Sequence, residues 1–250
     1  MFDLTGKKAI VTGATRGMGN AIAKAFHRQG AELVITGTSD KVFSIAKEME
    51  KDGSPVYGVK ADFSTRQGIY DGFAACSKAL NEDIDILVNN AGINRNHKCE
   101  DFTIEDWDLV LTVNLESVLL FSQLAGKIML KKGKGRIINM ASLLSVFGGR
   151  RSLAYAAAKG GVAQITKAMS NEWAGRGVTV NAIIPGYMNT DMNKAFCADL
   201  SLSGHLLARI PVGRWGIDND VASAAVFFAS DESAFVTGTM LPVDGGFTVW

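Results

Sequence analysis

The stretch Lys8-Ala9-Ile10-Val11-Thr12-Gly13-Ala14-Thr15-Arg16-Gly17-Met18-Gly19-Asn20 decides the fold. Its opening residues are almost continuously apolar, as a strand covered on both faces requires, whereas a strand with one wet face would alternate. Gly13, Gly17 and Gly19 then crowd a short turn, and apolar Ala21, Ile22, Ala25 and Phe26 follow at helical spacing over 20–29. Strand, glycine turn and helix start therefore coincide. Glycine lets a backbone turn tightly and come close to a ligand, while the first N–H groups of a helix and its dipole face negative charge. The spacing is G-x-x-x-G-x-G rather than G-x-G-x-x-G, and in this context it predicts a pyrophosphate-binding turn.

Working outward, short β-branched runs at 8–12, 33–36, 56–60, 84–88, 136–140, 178–184 and 240–243 alternate with helix-length segments. Strands separated by helices need crossovers, so the reading is a doubly wound α/β Rossmann-type fold with a seven-stranded parallel sheet. No Pro/Gly/Ser-rich linker divides residues 1–250, which are read as a single domain. The region 188–217 carries Met, Leu and Phe without clean alternation. It reads as a substrate loop or lid, or as a helical excursion that buries a subunit contact.

Composition narrows the function classes. Hydrophobic residues make up 47% and charged ones 20%, with a formal net charge of +1, which gives no bias toward nucleic acid or an anionic membrane. The chain enters a strand within its first residues, and no uncharged apolar run reaches the ~18 residues of a membrane helix, so cytoplasmic residence is the expectation. The basic run Lys131-Lys132-Gly133-Lys134 reads as a solvated loop. Cys76, Cys99 and Cys197 are expected as buried or partly buried free thiols, and His27, His97 and His205 as surface or loop residues, none with metal-ligand spacing.

The tip of the second strand, Thr36-Gly37-Thr38-Ser39, has no acid before Asp40 to take a ribose 2′-hydroxyl. Arg16, Thr38 and Ser39 suit a 2′-phosphate instead, which favours NADP(H) over NAD(H). Asn89-Asn90-Ala91-Gly92, Ser142 and Pro185-Gly186 each follow a predicted strand, and ligands of open parallel sheets bind at those carboxyl ends. Tyr155 and Lys159, four apart in a helical pattern, share one helix face. A phenol ionises near pH ~10, and bringing it to about 7 takes roughly 4 kcal/mol, toward which a neighbouring ammonium contributes. By itself such a pair is usually structural; Ser142, thirteen positions before Tyr155, adds the hydroxyl donor that a reacting oxygen would need.

These motifs, with Asn114, resemble the short-chain dehydrogenase/reductase family over essentially the whole chain. The resemblance implies a tetrad: Tyr155 as general acid/base, Ser142 orienting the carbonyl, Lys159 holding the nicotinamide ribose and lowering the phenol pKa, and Asn114 supporting a relay water. It also implies that Gly13, Thr15, Arg16, Met18 and Gly19 form the phosphate turn, that Asp62 and Phe63 flank the adenine, and that Asn89, Ala91 and Gly92 line the cofactor. Pro185, Gly186, Met188 and Thr190 would meet the nicotinamide end. A homotetramer is implied, with Asp244-Gly245-Gly246 near a subunit contact.

A narrower similarity points to the branch that acts on sugar acids, such as gluconate 5-dehydrogenases and 2-dehydro-3-deoxygluconate dehydrogenases. It is carried by Gly92-Ile93-Asn94-Arg95, Ala141-Ser142-Leu143-Leu144-Ser145, Asn171-Glu172-Trp173-Ala174, Pro185-Gly186-Tyr187-Met188-Asn189-Thr190 and Gly213-Arg214-Trp215-Gly216. Arg95, Arg150 and Arg151 are the candidate carboxylate partners, with Leu144 and Tyr187 as further substrate contacts. Two other readings stand beside this one. A 3-oxoacyl-carrier-protein reductase would use Lys127, Lys131, Lys132 and Arg136 to dock an acidic carrier, and a dinucleotide-binding sensor would have kept the fold without the chemistry.

Overall fold

The computed structural model describes residues 1–51, 53–190 and 197–249. Seven strands, β1 (Lys8–Val11), β2 (Glu32–Gly37), β3 (Val56–Lys60), β4 (Ile86–Asn89), β5 (Gly135–Met140), β6 (Val178–Pro185) and β7 (Met240–Val243), form one sheet in the order β3-β2-β1-β4-β5-β6-β7. Every pairing is parallel, with Val11 opposite both Ile35 and Val88. All seven expected strands are present, with ends displaced by at most two residues.

Unbroken apolarity in the strands has the anticipated cause. Ala9, Val11, Ile86 and Val88 point into one core and Ile10 and Leu87 into the other, because successive side chains leave opposite faces. Helices α1 (Gly17–Arg28), α2 (Lys41–Glu50) and α8 (Asp218–Ala229) contribute Ile22, Phe26, Val42, Val221 and Phe228 to the first core. Helices α3 (Arg66–Ala79), α5 (Ser117–Lys132) and α6 (Leu153–Trp173) contribute Ile69, Phe73, Phe121, Met129 and Met169 to the second. The strand order reverses between β1 and β4, which opens a crevice at their carboxyl ends.

Helix α4 (Ile104–Leu111) continues through a π-helical segment, Thr112–Glu116, into α5. The combined Ile104–Lys132 helix is long and apolar enough to cross a membrane by composition, but half of its most apolar window is buried inside this fold. Helix α5 ends at Gly133, whose φ of 70° is the left-handed conformation that glycine supplies at helix ends.

That ending corrects the basic run. Lys131 and Lys132 form the last helical turn, and the Lys132 ammonium donates to the carboxylates of Asp83 and Asp85 instead of standing in a solvated loop. His27 is likewise buried in α1, its Nε2 lying 2.9 Å from the Ser54 carbonyl, since the helix face that carries it packs on the approach to β3. Cys76 and Cys197 are buried and Cys99 is exposed, so the expectation for the thiols fails at Cys99, on an external 3₁₀ turn. Of the expected substrate segment 188–217, residues 191–196 lie outside the described ones. Met188 bridges to Gly216, and α7 (Leu200–Leu207) brings Leu206 and Leu207 against Tyr187, Trp215 and Phe247.

Candidate active site

The glycine turn is knitted to the ends of two neighbouring strands. Thr12 Oγ1 accepts the N–H groups of Asn90 at 2.9 Å and Ala91 at 3.0 Å, and Asn90 Nδ2 donates to the carbonyls of Thr12 and Gly13. On the other side, Gly13 N–H donates to Thr36 Oγ1 and Ala14 N–H to the Thr36 carbonyl. Gly13 needs its φ of +64°, and a Cβ there would lie 2.8 Å from the Ala91 Cα. A Cβ on Gly19 would collide with Asn90 Nδ2 and the Gly13 carbonyl. Arg16, the N-cap residue of α1, forms no side-chain cap, so the first N–H groups of that helix keep their capacity for an anion.

Thr15 leans on Gly37 at the tip of β2, which brings the turn against the segment carrying Thr38 and Ser39; those two and Arg16 are exposed. Asp40, the first acid beyond the strand, pairs with Lys60 at 3.0 Å. Met18 packs on the first core. Asp62 is exposed, and hydrogen bonds from Ser64 hold its carboxyl below the usual range. Phe63 is only 4% exposed, its ring set edge-on against Phe121 at 5.2 Å, so the ring belongs to the core. The Asn89 side chain likewise turns inward to Ser122 and Asn139, and it is the Asn90 side chain that reaches the turn. The Met188 side chain is also buried, packed over Gly216.

Ser142, Tyr155 and Lys159 are brought together where β5 hands over to α6. Ser142 caps a single 3₁₀ turn, Leu143–Ser145, and its Oγ accepts the Leu144 N–H at 3.1 Å. Ser142 lies close enough to the Tyr155 phenol to favour its ionised form. Lys159 is almost wholly buried, donates to the Met140 carbonyl at 2.6 Å, and lies 5.6 Å from the centre of the Tyr155 ring. Burial lowers its pKa to about 8, because a charged ammonium is costly away from water. The Tyr155 phenol is shifted upward by burial, which outweighs the lowering by Ser142. The expected lowering by Lys159 is therefore not a property of the protein alone.

Asn114 sits in the π-helical segment and is fully buried. Its Oδ1 accepts the Ile93 N–H at 2.9 Å, and its Nδ2 donates to the carbonyls of Ile93 and Val110. Gly92 leaves room for this clasp, since a Cβ there would lie 2.6 Å from the Asn114 Oδ1. The side-chain amide is thus committed to holding the segment after β4. A π-bulge at such a point is a frequent mark of functional sites.

The expected substrate residues divide. Arg95 Nε pairs with Asp106 at 3.1 Å, and His97 takes the other carboxylate oxygen at 2.7 Å, so α4 holds Arg95. Arg150 and Arg151 are exposed, Arg151 at a φ of 60° in the turn before α6. Leu144 lies against Gly149. Tyr187, just beyond β6, stacks edge-on against Phe247 at 5.1 Å and near Trp215 at 6.3 Å. Beside it stands a cation that the sequence reading did not single out: the Arg209 guanidinium lies 4.2 Å from the centre of the Phe247 ring, without an ion pair among the described residues. Ser145 was missed too, although Ser-x-x-Ser is a capping pattern visible in the sequence.

The proposed carrier-docking face is broken up. Lys132 is bound to Asp83 and Asp85, while Arg136 donates to the Ser230 carbonyl and approaches Asp231, leaving Lys127 and Lys131 alone.

Comparison with known proteins places this geometry among relatives. A family model described as Enoyl-(Acyl carrier protein) reductase matches residues 13–248. The 2-dehydro-3-deoxy-D-gluconate 5-dehydrogenase of Bacillus subtilis (strain 168) is 45% identical over 245 residues, covering 98% of this chain and 96% of that protein. A 3-oxoacyl-[acyl-carrier-protein] reductase of Vibrio cholerae is 39% identical over 248 residues, covering 98% of each. Among solved structures, a gluconate 5-dehydrogenase from Burkholderia cenocepacia J2315, in complex with NADP and tartrate, superposes with a TM-score of 0.93 at 35% identity, covering 100% of this chain and 98% of that one.

Proposed function

The chain belongs to the short-chain dehydrogenase/reductase family, and we propose that it interconverts a secondary alcohol and a ketone on a sugar acid, with NADP(H) favoured over NAD(H). The observation that carries the reading is the Tyr155 phenol beside Ser142, with the buried Lys159 ammonium 5.6 Å from its ring centre, at the sheet edge that also bears the glycine turn.

A dinucleotide suits the residues present. Gly13 and Gly19 leave a cradle that a Cβ would fill, α1 lacks a side-chain cap, and Lys159 is a buried ammonium whose hydrogen bond among the described residues goes to a backbone carbonyl. When bound, the nicotinamide supplies the hydride acceptor or donor that no side chain can provide. The protein supplies the rest. The Leu144 N–H occupies one lone pair on Ser142 Oγ and so orients the hydroxyl that would donate to the substrate oxygen. Tyr155 Oη gives the proton as negative charge builds on that oxygen during reduction, and takes it back during oxidation.

NADP(H) is supported by the exposed Arg16, Thr38 and Ser39 at the rim, and by the engagement of Asp40 with Lys60. A sugar acid is supported by Arg209, an unpaired cation among the described residues beside Tyr187. Guanidinium is suited to a carboxylate. A homotetramer is part of the same proposal, supported by the exposed apolar Phe235 and Val249 on either side of β7, and light scattering in solution tests it.

The 3-oxoacyl reductase reading keeps the support of the Vibrio cholerae relative, but the division of its basic docking face weighs against it. A spectrophotometric screen of keto-sugar acids, polyols and acetoacetyl thioesters with NADPH and NADH separates the two. Turnover of thioesters alone would overturn the sugar-acid assignment, and a strong NADH preference the cofactor assignment. Tyr155→Phe is expected to bind the dinucleotide normally while turnover falls about 10²- to 10⁴-fold; wild-type activity in that variant would remove Tyr155 from its role.

A further inference from the structure

The sheet stops constraining the chain one residue before the catalytic serine. Strand β5 ends at Met140, and Ala141 makes the last bond to the neighbouring strand, its N–H donating to the Ile183 carbonyl. Ser142 has left the ladder, while Tyr155 and Lys159 ride on α6, which begins only at Leu153. Two separately anchored pieces of chain must therefore be held in register to well under an ångström, since misplacement of a reacting group by about 1 Å can cost 10²-fold in rate.

One hydroxyl spans that gap. Ser145 Oγ accepts the backbone N–H of Ser142 at 3.2 Å and donates its own proton to the backbone carbonyl of Lys159 at 2.7 Å. Both bonds go to backbone, so Ser145 fixes where the main chain of Ser142 lies relative to the main chain of Lys159. Among the described residues, the other hydrogen bond that ties Lys159 to this segment is its ammonium on the Met140 carbonyl, and that ammonium belongs to the reacting site. The Ser145 tie is neutral and does not depend on the protonation of either catalytic partner. Its donor and acceptor capacities are both used within the protein, which leaves one lone pair and no proton for a substrate.

We infer that Ser145 is a positioning residue for the alcohol–ketone interconversion, acting through Ser142 by locking the serine turn onto the catalytic helix. The inference rests on the reading of the site given under Proposed function. Removing the hydroxyl leaves the Ser142 N–H without its acceptor and lets the Ser142 turn slide on α6, whereas the helix keeps its own hydrogen bonds.

The experiment compares Ser145→Ala, Ser145→Thr, Ser142→Ala and the Ser142→Ala/Ser145→Ala double variant in the full chain. Measured are thermal midpoint, NADPH affinity by fluorescence, kcat and KM for the best substrate of the screen, and the ultraviolet titration of Tyr155 taken as the difference from Tyr155→Phe. Ser145→Ala is expected to lower kcat at least tenfold with NADPH affinity within twofold of wild type, and Ser145→Thr to recover most of that loss. In the Ser142→Ala background the second substitution is expected to cost nothing further, because a residue that acts through Ser142 has nothing left to position. Tyr155 should titrate at higher pH in Ser145→Ala, as Ser142 moves away from the phenol it helps to ionise.

Wild-type kcat in Ser145→Ala, or the same fractional loss with and without Ser142, would overturn the inference. If Ser145→Ala does not fold, Ser145→Cys, close in volume but a weaker donor and acceptor, is judged by the same measurements. If the wild-type protein turns over nothing in the screen, the functional reading fails separately, and the Tyr155 titration alone decides the role of Ser145: an unchanged titration refutes it.

Discussion

Lys159 is a charge placed where water cannot reach it, and its protonation must appear in the stability of the protein. Its pKa falls from 10.5 to about 8 on burial, so between those values the unfolded chain binds more protons than the folded one. The penalty is fully present below about pH 8 and is relieved as pH rises toward 10.5, a change of roughly 3 kcal/mol. In the dinucleotide-free protein, the urea-unfolding free energy of wild type relative to Lys159→Met is therefore expected to rise over that interval and to be flat below it; a pH-independent difference would show that Lys159 is not buried as a charge. The four-residue spacing of Tyr155 and Lys159 was legible in the sequence because a helix puts such positions on one face. The upward shift of the phenol was not, since it depends on what packs around Tyr155 and on where the ammonium points.

At the scale of elements, the glycine turn between β1 and α1 is tightly packed against its neighbours. Gly19 lies against Asn90 and the Gly13 carbonyl, neither of which can retreat without loosening the link to β4. Gly19→Ala is expected to weaken NADPH binding at least tenfold and to lower stability by about 1–3 kcal/mol, the usual range for overpacking. A fluorescence titration and a melting curve check both, and wild-type affinity would mean that the turn has slack. The glycines were readable because their spacing coincides with a strand end and a helix start. Asn90 escaped notice because it is adjacent to Asn89 and of the same type, and only the alternation of side chains at the end of β4 sends one inward and the other to the turn. The end of α5 was also within reach: basic residues in a last turn followed by glycine are a helix stop, but three lysines in four residues read first as solvent-exposed.

Across the whole molecule, one buried polar chain ties the sheet to the catalytic helix. Asn89 on β4 donates to Asn139 on β5, Asn139 donates to Thr166 on α6, and Asn89 also donates to Ser122 on α5. Asn139→Leu keeps the branched shape but deprives Asn89 of an acceptor, so a loss of about 1–3 kcal/mol is expected, read as a lower urea midpoint with an unchanged slope. An unchanged midpoint would show that the network is dispensable. The sequence by itself determined the parallel seven-stranded sheet, the glycine turn between strand and helix, and the placing of Ser142, Tyr155 and Lys159 at one end of that sheet, because each is written in local periodicity or in residue types at strand ends. Tertiary structure alone decided that Phe63 and Asn89 face inward, that Arg95 is held by Asp106 while Arg209 is left unpaired among the described residues, and that Ser145 joins the two halves of the site. Those outcomes depend on contacts between residues distant in the chain. Burial and pairing are properties of the packed whole, which no window of sequence contains.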